Sequence, residues 1–202
     1  MTVALVHGNP ESAALWDPLV AELSRAGVDD VVRLSPPGFG VPLPADFPAT
    51  VTAYRDWLIG ELERLDRPVD LLGHDWGGGH VATAVMARPE LVRSWASDAL
   101  GLFEPDYVWH DLARTWQTPG DGEANLDEMF GGTPEQRAAQ MEEFGVGHAE
   151  ALRIAGVQGP DMKQAVLALY RSAAQPAMAA LGQGLPGLAS SPGLGIVATA
   201  DP

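Results

Sequence analysis

The sequence predicts an α/β fold with a mostly parallel sheet flanked by helices, and three observations carry this prediction. In the first half of the chain, short apolar runs alternate with segments in which apolar residues recur at helical spacing. A glycine-rich turn, Gly73-His74-Asp75-Trp76-Gly77, joins one such run to a helical pattern. An apolar run returns near the end of the chain. Alternating strands and helices imply right-handed crossovers and therefore parallel strands.

Seven elements are predicted in order within residues 1–102. The predicted strands cover residues 2–6, 31–34, 69–72 and 92–96. The apolar faces of the predicted helices cover residues 15–23, 54–65 and 81–86. Glycine and proline separate these elements: Gly27 ends the first helix, and a loop with two prolines and two glycines at 35–40 ends the second strand.

Residues 103–188 are predicted to form a helical cap inserted over the sheet. Two stretches of this segment are typical of capping boxes, one beginning at Thr133 and one at Asp161, and each predicts the start of a helix. The apolar run 193–199 then returns the chain to the sheet. We therefore expect a single domain with a core of residues 1–102, a cap of residues 103–188 and a return strand within residues 189–202.

Composition and charge limit the classes of function. The chain of 202 residues has 46% hydrophobic and 19% charged residues, which is ordinary for a globular protein. Its net charge of −15 argues against nucleic acid and anionic membrane surfaces as partners. The chain has no cysteine, which excludes disulfides and thiolate metal sites. We predict neither a metal nor a cofactor, and the sequence leaves the oligomeric state open.

Membrane insertion and export are not indicated either. The sequence contains no apolar run long enough to span a bilayer, and no basic leader precedes the first strand. We therefore expect a cytoplasmic protein.

The turn Gly73-x-Asp75-x-Gly77 has the spacing of a nucleophile elbow, a sharp strand-to-helix turn that presents one side chain. Glycine is needed two positions before and two positions after the central residue, because a side chain at either position would collide with the neighbouring backbone. The helix N-terminus beside the turn keeps a carboxylate ionised. Asp is also a favoured N-cap residue, so Asp75 could instead merely cap the helix. The flanking glycines and Trp76 favour the elbow.

Polar residues follow three of the predicted strands. His7 to Pro10 follow the first strand, Asp75 and Trp76 follow the third, and Asp98 follows the fourth. In open parallel sheets, ligands bind beyond the carboxyl ends of the strands. The sequence therefore predicts a site at this edge of the sheet.

These residues resemble the α/β-hydrolase superfamily, and in particular its aspartate-nucleophile branch of haloalkane dehalogenases and epoxide hydrolases. The resemblance rests on the His-Gly-Asn-Pro sequence, the Pro-Gly-Phe-Gly loop, the Gly-His-Asp-Trp-Gly-Gly turn and the cap. It implies that Asp75 attacks an alkyl carbon of a small hydrophobic substrate, expels halide and forms an alkyl–enzyme ester. It also implies that Trp76 and Asn9 donate N–H groups to the halide, while His7 and Gly8 shape the loop.

The resemblance further implies a catalytic acid and a catalytic base. Asp98 and Asp201 are both candidates for the acid, with Asp201 slightly favoured because Ala-Asp-Pro after an apolar strand resembles the usual acid loop. The base of this superfamily is a histidine after the last strand, but no histidine follows His148. We therefore expect a sequence truncated at its C-terminus, whose ester forms but hydrolyses slowly and whose last strand exposes an edge.

Two other functions stay open. An epoxide hydrolase uses the same aspartate together with two tyrosines as proton donors, and the cap contains Tyr107 and Tyr170. Against this function, Tyr107 lies at the very start of the cap, and Asn9 stands where those enzymes usually have an aromatic residue. The alternative from another class is a non-catalytic homologue that binds a small hydrophobic ligand under its cap.

Overall fold

The computed structural model describes residues 1–197 and 199, and it contains a five-stranded sheet in the order β2-β1-β3-β4-β5. Every neighbouring pair of strands is parallel. The strands are β1 (Val3–Val6), β2 (Val31–Leu34), β3 (Val69–Gly73), β4 (Val92–Ser97) and β5 (Gly193–Gly195). The predicted α/β fold is confirmed, because helices connect these parallel strands.

The last strand is shorter than its prediction. The apolar run 193–199 predicts seven residues, whereas β5 has three and lies at the edge of the sheet, with Leu194 59% exposed. Among the described residues, strand β5 pairs with β4, which ends at Ser97. The Ile196 N–H, just after β5, donates to the Ser97 carbonyl at 2.8 Å. Asp201, one of the two candidate acids, lies outside the described residues.

Three helices alternate with the first four strands: α1 (Asp17–Arg25), α2 (Val51–Arg64) and α3 (Trp76–Ala87). The first predicted helix begins as a separate 3₁₀ turn, Ala13–Trp16, whose N-cap is Ser12. Of the predicted apolar face 15–23, only Trp16 is buried, and the other apolar side chains are half-buried. Helix α3, by contrast, is buried over most of its length.

Six helices lie between β4 and β5: α4 (Asp111–Gln117), α5 (Asp121–Met129), α6 (Pro134–Glu143), α7 (His148–Ala155), α8 (Pro160–Ser172) and α9 (Ala177–Gly182). All six fall within the segment 103–188 that the sequence assigns to a cap. The division of the chain at residues 102 and 188 stays a prediction. No helix of residues 1–197 combines the length and apolarity that a bilayer crossing requires.

One predicted capping box is correct and the other is wrong. At the start of α6, the Thr133 hydroxyl accepts from the Gln136 N–H, and the Gln136 side chain accepts from the Thr133 N–H at 2.9 Å. Helix α8 instead begins at Pro160, because proline suits the first helical position. The Asp161 carboxylate accepts from the Leu43 N–H at 2.8 Å, which ties α8 to the loop after β2.

The inserted helices share one hydrophobic core with the sheet. The cluster of buried side chains includes Val6 and Leu71 from the strands, Val85 from α3, and Leu169 and Tyr170 from α8. A second, small cluster of alanines lies between α6 and α7. Helix α8 therefore packs in the same hydrophobic core as the sheet and α3.

Two glycines let α3 approach the sheet closely. A Cβ atom on Gly77 would lie 2.1 Å from the Val6 carbonyl oxygen, and one on Gly73 would lie 2.4 Å from the Gly77 carbonyl oxygen. Both contacts are with backbone, which cannot move aside as a flexible side chain can. This close approach fixes the turn between β3 and α3.

We expect Gly77→Ala to lower the free energy of unfolding by about 1–3 kcal/mol, because the added methyl group overpacks the backbone of β1. Denaturant unfolding measures the change. Gly60→Ala is the matched control: Gly60 lies inside α2, and a Cβ there meets nothing within 4 Å. That control should raise the free energy of unfolding by about 0.5–1 kcal/mol, since alanine favours a helix interior. Equal effects at the two glycines would contradict the close-packed turn.

Candidate active site

Asp75 lies at the turn between β3 and α3 in a strained backbone conformation, with φ 50° and ψ −129°. A positive φ is uncommon for a residue other than glycine and is typical of functional turns. The side chain makes no capping hydrogen bond to α3. Asp75 therefore stands at the N-cap position of α3 without serving as a side-chain cap, and its carboxylate is directed elsewhere.

The carboxylate of Asp75 faces the loop that follows β1. Its Oδ2 accepts from the Asn9 N–H at 2.9 Å. A Cβ atom on Gly8 would lie 2.2 Å from the same oxygen, so only glycine leaves room for the carboxylate. The buried ring of His7 holds this loop, since its Nδ1 lies 2.9 Å from the Gly8 carbonyl oxygen and donates to it.

A cavity of about 550 Å³ opens above Asp75. It brings together six of the residues singled out in the sequence: Asn9, Asp75, Trp76, Asp98, Tyr107 and Tyr170. The rest of its wall was not singled out and consists of Glu11, His74, Ala99, Gly101, Leu102, Trp109 and His110. His7 and Gly8 do not line the cavity and act on the loop that carries Asn9.

Aromatic rings from three segments form one wall of the cavity. The Trp76 ring stacks on Trp109 with 6.0 Å between centroids, and it meets the edge of Tyr170 at 5.5 Å. Tyr107 packs edge-on against Trp109 at 5.1 Å. Trp109 comes from the loop before α4, and no spacing in the sequence could place it against the turn. Tyr107, although it lies at the start of the cap, reaches the cavity through this contact.

The side-chain amide of Asn9 is buried, and within the described part of the chain neither its oxygen nor its nitrogen has a hydrogen-bond partner. Buried polar groups normally find partners, so an unpaired amide is available to a ligand. Burial and the Asp75 charge raise the pKa of the nearby Tyr170 phenol, while the Trp76 and Asn9 side chains partly oppose the rise. These three polar groups therefore lie close together beside Asp75.

Four further polar contacts surround the turn. Asp98 accepts from the Asp75 N–H at 2.9 Å through Oδ1 and contacts His74 Nδ1 at 2.5 Å through Oδ2. On the other side of the ring, His74 Nε2 lies 3.4 Å from the Glu11 carboxylate. Glu11 also accepts from the Gly8 N–H at 3.1 Å. Sequence reasoning missed Glu11 as a site residue, although it lies only two positions after Asn9.

The environment of Asp75 raises the pKa of its carboxyl to about 6. Burial is the largest cause, and the negative charge of Glu11 adds to it. The backbone N–H groups of Asn9 and Trp76, together with the charge of His74, oppose this rise. The carboxyl is therefore mostly ionised at neutral pH, and its partial burial reduces its hydration, which makes a carboxylate a better nucleophile than it is in water.

Comparison with known proteins agrees with the fold. The profile of the alpha/beta hydrolase family matches residues 3–202. A haloalkane dehalogenase DbeA-M1 loop variant from Bradyrhizobium elkanii has a TM-score of 0.69 and 22% identity, over 99% of this chain and 73% of that chain. The epoxide hydrolase VrEH1 from Vigna radiata has a TM-score of 0.65 and 15% identity, over 84% of this chain and 63% of that chain. At these identities the similarity shows the fold alone.

A protein of Mycobacterium tuberculosis named probable oxidoreductase EphD is 34% identical over an alignment of 137 residues, which covers 57% of this chain and 21% of that protein. This chain thus matches about a fifth of the length of its curated relatives. The family profile, by contrast, extends over almost the whole sequence. On that match, and with the parallel sheet and strand-to-helix turn described above, the chain belongs to the alpha/beta hydrolase family.

Proposed function

We propose that this protein is a hydrolase in which Asp75 displaces halide from a small haloalkane. The observation that carries the proposal is the buried, unpaired amide of Asn9 on the same cavity as the Asp75 carboxylate and the Trp76 indole. A carboxylate oxygen forms a bond to the alkyl carbon while the carbon–halogen bond breaks, and the halide departs with the electron pair. The product on the protein is an alkyl ester of Asp75.

Hydrogen-bond donors near the departing halide lower the barrier of this step. Indole supplies one N–H and no acceptor, and the amide of Asn9 supplies N–H groups as well. Such donors stabilise developing negative charge most strongly where water is excluded. The stacked rings of Trp76 and Trp109, with Tyr170 packed edge-on against them, supply this apolar surrounding. The same wall favours a neutral, hydrophobic substrate of modest size.

Epoxide opening by the same carboxylate is the second candidate. The specific observation in its favour is that Tyr107 and Tyr170 both line the cavity. Burial raises the pKa of both phenols, and the charge of Asp75 adds to the rise, so both keep their protons. In this reaction the carboxylate attacks an epoxide carbon, the carbon–oxygen bond breaks, and a phenol donates its proton to the oxygen. The mycobacterial relative is named an oxidoreductase, but the alignment covers only 21% of that protein. Its name therefore does not bear on the chemistry at Asp75.

Asp75→Asn should abolish both halide release and ester formation, because a neutral amide is a poor nucleophile. Halide release and diol formation are measured side by side on haloalkanes and epoxides, and mass spectrometry locates the alkyl adduct on Asp75. Asp46→Asn, an exposed aspartate in the loop before α2, is the control that retains activity. Diol formation without halide release would move the function to epoxide hydrolysis, and neither product with a ligand still bound would leave only the non-catalytic alternative.

Trp76→Phe should reduce the rate of halide release on the order of a hundredfold or more, because it removes one donor from the developing charge while keeping a ring in place. Trp57→Phe on α2 is the matched control, since Trp57 is half-buried and does not line the cavity. Stopped-flow measurement of halide release compares the two variants. Equal rates in the two variants would remove Trp76 from the proposed halide site.

The rate of halide release should fall as the pH falls through about 6. Because the pKa of Asp75 is raised to about 6, lowering the pH through that value protonates the nucleophile. Below it, the rate should drop about tenfold per pH unit, since only the ionised form reacts. Initial rates of halide release from an uncharged haloalkane, measured between pH 4.5 and 8.5, test this fall in rate on the acid side. A rate that stays constant down to pH 5 would contradict the raised pKa.

A further inference from the structure

We infer that Glu11, His74 and Asp98 form a charged clamp, in which a protonated His74 bridges two carboxylates, holds the turn at Asp75 in place and offsets part of the negative charge around it. The inference rests on the proposed function of Asp75 as the nucleophile. In this clamp, none of the three residues reacts with the substrate. They are positioning residues that act through Asp75.

The clamp joins the two segments that build the site. Glu11 belongs to the loop after β1 and accepts from the Gly8 N–H at 3.1 Å. Asp98 follows β4 and accepts from the Asp75 N–H at 2.9 Å. The ring of His74 lies between these carboxylates, 2.5 Å from Asp98 and 3.4 Å from Glu11. A continuous path of polar contacts therefore connects the Gly8 backbone to the Asp75 backbone.

The geometry favours a ring of His74 with protons on both nitrogens. An ionised carboxylate accepts hydrogen bonds and cannot donate them. Each nitrogen of His74 faces such an acceptor, so a neutral ring would set a lone pair against one of the two carboxylates. The doubly protonated imidazolium is the form that satisfies both contacts. Consistent with this form, the interaction with Asp98, and to a smaller extent that with Glu11, raises the pKa of His74 to about 11.

The positive charge of His74 opposes the forces that would protonate Asp75. Burial and the charge of Glu11 raise the pKa of the Asp75 carboxyl, and the charge of His74 lowers it. The tyrosine and the other histidine side chains around the cavity and behind the turn are neutral at pH 7. Burial raises the pKa of the two phenols, Tyr107 and Tyr170. Burial lowers the pKa of three imidazoles, those of His7, His80 and His110. His74 is therefore the cation that balances the carboxylates beside Asp75.

The clamp predicts opposite effects for two substitutions. His74→Gln removes the positive charge, so the pKa of Asp75 should rise by about 1 pH unit or more. Glu11→Gln removes a negative charge but keeps an amide oxygen that can accept from the Gly8 N–H, so the pKa of Asp75 should fall. A merely structural role in holding the loop would not give shifts of opposite sign.

The experiment is an NMR titration of the 202-residue chain between pH 5 and 9. Nitrogen shifts of the five histidines report the protonation of each ring, and carbon shifts of labelled aspartate carboxyls report Asp75, assigned with Asp75→Asn. We expect His74 to show two protonated nitrogens throughout this range, and Asp75 to titrate near pH 6. This first measurement needs only the unaltered chain, so it holds even if a His74 variant fails to fold.

His148→Gln is the matched control, because His148 is exposed and pairs with Glu142, which does not line the cavity. It should leave the titration of Asp75 unchanged. A His74 midpoint between pH 5 and 8, or shifts of Asp75 in the same direction in His74→Gln and Glu11→Gln, would overturn the clamp. Absence of both halide and diol release would refute the proposed function while leaving these titrations intact, so the two failures are distinguishable.

Discussion

The contact between α3 and the backbone of β1 determines where the reactive groups of this protein lie. Because Gly77 has no side chain, the start of α3 reaches the Val6 carbonyl, and the chain between β3 and α3 must turn sharply. That turn gives Asp75 its positive φ and directs the carboxylate toward the loop after β1 rather than into its own helix. The position of the cavity above the strand ends follows from this one close approach.

Much of the core of the fold could be predicted from the sequence because its signals are local. Apolar periodicity and glycine positions lie within a few residues of the elements that they define, so β1 to β4 and α2 and α3 are close to their predictions. The inserted helices were less predictable, because their starts depend on distant partners. Asp161 resembles an N-cap in the sequence, but its carboxylate binds the Leu43 backbone, 118 positions away along the chain.

Site residues that follow the ends of strands could be predicted from the sequence. Those that reach the site only through tertiary packing could not. Asn9, Asp75 and Asp98 all follow parallel strands, and the structure brings them to one cavity. Trp109 reaches that cavity from the inserted segment, which only the folded chain can show. Glu11 is a different case: an acidic residue in a loop usually faces solvent, and nothing near it in the sequence indicates that His74 lies beside it.

The clustering of carboxylates also makes the cavity an electrostatic filter. In the proposed clamp, three carboxylates, those of Glu11, Asp75 and Asp98, face the single imidazolium of His74, which leaves two negative charges uncompensated. A ligand carboxylate about 6 Å from one such charge is repelled by about 3 kcal/mol at an effective dielectric constant of about 20, which is more than a hundredfold in affinity. On the proposed function, this repulsion is expected to favour uncharged haloalkanes over haloacids of the same length. Competition between a haloalkane and the matching haloalkanoate measures that selection directly.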